Sequence, residues 1–86
     1  MFYTIKNTTD VAIWYLVKKS VCGESWSNSN DNLNHYTCFK TEAGAKRALK
    51  AWHKYNIIDG KYEMIRGEYS EWRDTIIFYP MYEMEV

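Results

Sequence analysis

The chain has 86 residues, 47% hydrophobic and 17% aromatic, with 11 basic and 11 acidic side chains and a formal net charge of zero. This is one domain, residues 1–86, with enough apolar material for a core but little room for a deep catalytic cleft. Zero net charge weighs against a general nucleic-acid or membrane-surface binder, which carries a basic excess.

Phe2 to Lys6 is rich in aromatic and β-branched residues and predicts a first strand, followed by a turn cluster at Asn7-Thr8-Thr9-Asp10. Val11 to Lys19 predicts a longer strand, with Ile13, Tyr15 and Val17 on one face and Trp14, Leu16 and Lys18 on the other. Gly23 to Asn34 is the most polar stretch, and its Asn and Ser side chains favour local backbone bonds over a ladder, so a loop is expected there. His35 to Lys40 reads as a short third strand.

A helix should follow. Thr41 has the chemistry of an N-cap, Glu42 suits the positive end of the helix dipole, and Lys50, His53 and Lys54 suit the negative end. Ala45, Ala48, Leu49, Trp52 and Tyr55 or Asn56 recur at helical spacing and form the apolar stripe. Ile57-Ile58 should pack back on the core, and Asp59-Gly60 is a turn signal. Lys61 to Glu68 predicts a fourth strand, with Tyr62 and Met64 opposite Ile65 and with Gly67 at its end or at a bulge. After a polar connection, Glu68 to Asp74, a last strand runs from Thr75 to Val86, and Pro80 should put it at an edge or a bulge. The order is β-β-β-α-β-β: an α+β domain with a single helix on one face of a mainly antiparallel sheet.

Charge is uneven along this frame. Residues 41–58 carry +3 and residues 59–86 carry −4. Cys22 and Cys38 are too few for a disulfide framework. Met1 to Lys6 lacks the basic and apolar regions of a secretion signal, and no apolar run approaches the ~20 residues of a membrane span. A cytosolic chain with reduced thiols and no membrane contact is expected. Cys22, His35, Cys38 and His53 form no zinc-module spacing, and nucleophile elbows and phosphate loops are absent, so neither a metal, a cofactor nor an enzymatic activity is expected.

The aromatic content exceeds what so small a core absorbs. Tyr, Trp, Met and Arg are the residues enriched at the centre of protein interfaces, which makes Trp26, Tyr69 and Trp72 candidate anchors. Tyr69 and Trp72 folded back over an end of the sheet is the alternative for those two. Lys46, Arg47, Lys50 and Lys54 form a second, electrostatic surface on the helix. The same lysines beside surplus aromatics are also the composition that stacks unpaired RNA bases. Small helix residues, Ala43, Gly44 and Ala51, leave a homodimer through the helix or a sheet edge open.

The opening Phe2-Tyr3-Thr4-Ile5-Lys6-Asn7, the polar loop, the run Phe39-Lys40-Thr41-Glu42-x-x-Ala45-x-x-Ala48-Leu49 and the strand Tyr62-Glu63-Met64-Ile65 together resemble small accessory proteins of tailed bacteriophages. The likeness spans most of residues 2–65, and the chain departs from it from Glu68 onward. It implies no activity and transfers no functional residue. It does imply a class: a non-enzymatic protein of the host cytoplasm that binds and blocks a host protein, such as a defence nuclease or toxin. The expectation is therefore an inhibitor or modulator acting by direct protein contact, with an RNA-binding protein that neutralises a host RNase or toxin as the alternative.

Overall fold

The computed structural model of the chain describes residues 1–19, 23–31, 33–55 and 59–85, with Lys19 and residues 52–55 described by their backbone only. The expectations for Cys22, for Ile57 and Ile58, for Val86 and for the side chains of Trp52, His53, Lys54 and Tyr55 lie outside the described residues. Five strands and one helix are present: β1 (Phe2–Thr8), β2 (Ile13–Lys19), β3 (Gly23–Ser27), α1 (Glu42–Tyr55), β4 (Lys61–Tyr69) and β5 (Ile76–Met84). All neighbours in the sheet are antiparallel, in the order β3-β2-β1-β4-β5. The α+β class and the β-β-β-α-β-β order hold.

The third strand is not the expected one. Gly23–Ser27 forms β3, in the stretch whose composition predicts a loop, because pairing with β2 sets Trp26 across from Leu16 and offers the indole an apolar seat. Tertiary packing outweighs the poor strand propensity of Gly and Ser here. His35 to Lys40, the expected strand, is mostly turn. The Asn34 Oδ1 accepts from the backbone N–H of Tyr36 (2.8 Å) and Thr37 (3.3 Å), and the Asn34 carbonyl accepts from Cys38 N–H (2.9 Å). These local bonds leave Phe39 alone in strand-like contact, exchanging two 2.7 Å bonds with Tyr3.

That exchange has a structural use. Residues 37–39 wedge between the start of β1 and the end of β2, where Lys18 N–H donates to the Thr37 carbonyl (2.8 Å). The buried Thr4 hydroxyl bridges the resulting gap by donating to the Leu16 carbonyl (2.8 Å). Asn7, expected in a turn, is a fully buried strand residue; the turn is instead 9–12, tied by Thr9.

On the helix side the core comprises Ile5, Leu16, Phe39, Ala45, Ala48, Leu49, Tyr62 and Met64, with Tyr3, Trp26 and Met84 packed against it. The helix stripe read from the sequence, Ala45, Ala48 and Leu49, is the buried stripe. Thr41 caps α1 as expected, its hydroxyl accepting from Gly44 N–H at 3.0 Å. The opposite face of the sheet holds a second cluster, Phe2, Val17, Leu33 and Cys38, flanked by Tyr15, Ile76 and Phe78. Leu33 and Cys38 come from the connection between β3 and α1, so that connection covers the second face. Burial pushes the Cys38 thiol up to about 11, so it stays neutral.

Candidate protein-contact surface

β5 is an outer strand of the sheet, and most of its residues are exposed. Its pairing with β4 shifts register between Met64 and Ile65, leaving Met81 as the extra residue beside Pro80. The sequence expected Gly67 at the end of β4 or at a bulge; the bulge lies elsewhere, and Gly67 sits inside β4 under the Phe2 ring. The shift turns Tyr82 towards α1, where its hydroxyl donates to Glu42 Oε1 (2.7 Å) and its ring lies 5.2 Å from Lys46 Nζ. The Tyr82 hydroxyl, with Glu42 adding to it, holds the Lys46 ammonium above the ordinary lysine pKa. Further along, the Arg66 guanidinium lies 5.0 Å over the Tyr79 ring.

The turn between β4 and β5 is closed by its own polar groups. Ser70 N–H donates to the Thr75 carbonyl (2.8 Å), and Arg73 N–H donates to the Ser70 carbonyl (2.9 Å). The Ser70 hydroxyl donates to Asp74 Oδ1 (2.7 Å), which lowers the Asp74 pKa. Arg73 takes a left-handed conformation, φ 57°. At the tip of this bonded turn Trp72 is 81% exposed.

The other candidates fall out differently. Trp26 does not stand on a loop: it is half-buried on β3, its ring 6.0 Å from that of Tyr62, and its Nε1 is buried without a partner among the described residues. It belongs mainly to the core. Tyr69 folds back: its ring meets Phe2 edge-on at 5.6 Å, and its hydroxyl is the hydrogen-bond partner of His35 Nδ1. Lys46, Arg47 and Lys50 are exposed on α1 as expected. Lys54 lies beyond the described side chains.

Lys46 and Lys50 also line a groove against β5. Together with Leu49 they make one wall of this open groove of ≈ 600 Å³, whose other wall is Tyr82, Glu83, Met84 and Glu85. The lining combines apolar Leu49, Tyr82 and Met84 with basic residues of α1 and acidic residues at the end of β5. Composition alone missed Ile77, Tyr79 and Met81 as exposed residues, because the bulge at Met64/Ile65 alters the alternation along β5.

Among the described residues no three His, Cys, Asp or Glu side chains stand close enough to hold a metal, and no helix is long and apolar enough to cross a membrane. No family model, curated protein or solved structure matches the chain.

Proposed function

We propose that the chain is a non-enzymatic protein-binding domain whose contact surface is the β4–β5 hairpin. One observation carries this: of ten exposed large hydrophobic side chains among the described residues, six (Tyr69, Trp72, Ile77, Tyr79, Met81 and Tyr82) lie on that hairpin. Scattered apolar residues are ordinary on a surface, whereas a run along one edge strand marks a contact site. The resemblance to phage accessory proteins supports the narrower reading, an inhibitor or modulator of a host protein.

Affinity capture from bacterial lysate, with and without RNase, tests it. A protein retained by the wild type, insensitive to RNase and lost with Trp72→Ala, is the expected result. Retention that collapses with RNase and falls log-linearly with salt would put the RNA reading in its place.

A further inference from the structure

We draw no further inference here: the strongest candidate, the groove between α1 and the far end of β5 lined by Lys46, Leu49, Lys50, Tyr82 and Met84, belongs with the exposed apolar side chains of β5, and nothing in the structure shows what covers them.

Discussion

Phe2 is 3% exposed because the residue across the ladder from it, Gly67, has no side chain. A Cβ on Gly67 would stand 2.6 Å from Phe2 Cε2 and 3.1 Å from Phe78 Cε1, caught between two rings on the second face. Gly67→Ala is therefore expected to cost about 1–3 kcal/mol by overpacking, read as a lower urea midpoint. Phe2→Leu in that background should return part of the loss, because the two sites share one space. Cys38 makes a prediction by pH. Its thiol is raised from an ordinary 9.0 to about 11 by burial, so between those values the unfolded chain releases a proton that the native chain keeps. This contribution to stability is complete below about pH 9 and is lost as pH rises towards 11. A Cys38→Ala variant should show less alkaline loss in denaturant titrations from pH 8 to 11. At this scale the sequence was most legible in α1, where Thr41, Ala45, Ala48 and Leu49 do what their types and spacing imply. It was least legible at Gly67, whose role depends on a ring far away in the chain.

Among the elements, β5 shows how an edge strand carries an exposed apolar run without pairing indefinitely. Pro80 removes a donor, the bulge interrupts the ladder, and Glu83 and Glu85 charge the end, all of which blunt an edge. Pro80→Val restores a donor and a good strand former. It is expected to make β5 a better edge for pairing with another copy, so that the mass read by light scattering should rise across a concentration series. An unchanged mass would assign the protection of the edge to the bulge and the terminal charges instead. Pro80 announced the edge in the sequence, but the side chains presented beyond it depend on a one-residue register shift in β4–β5. β3 was hidden for a related reason. An edge strand is selected by the strand it joins, and Leu16 opposite Trp26 lies outside any local window around Gly23–Ser27.

The described residues form a sheet with two unlike covers: α1 on one face and, on the other, Leu33 and Cys38 from the connection between β3 and α1. A domain of this size has roughly 4–13 kcal/mol of stability, so the second cover matters if its burial is worth a few kcal/mol. Leu33, 3% exposed among Phe2, Val17 and Cys38, is the side chain that decides it. A lone Leu in a run of Asn and Ser carries no periodicity, which is why that segment reads as a solvated loop. Leu33→Ala is expected to cost about 2–5 kcal/mol, whereas a loop lying free in water would lose less than ~0.5 kcal/mol. Hydrogen exchange locates the effect. The amides of Lys18 and Cys38, bonded to Thr37 and Asn34, should lose protection in the variant before those of α1 do. Cys38 should also become reactive towards a thiol reagent at neutral pH, because opening the cover removes the burial that keeps it neutral. A small loss of stability with Cys38 still protected would mean that the sheet holds its second face closed without this segment. A large loss with early exchange at those two amides would make the connection a structural layer of the fold.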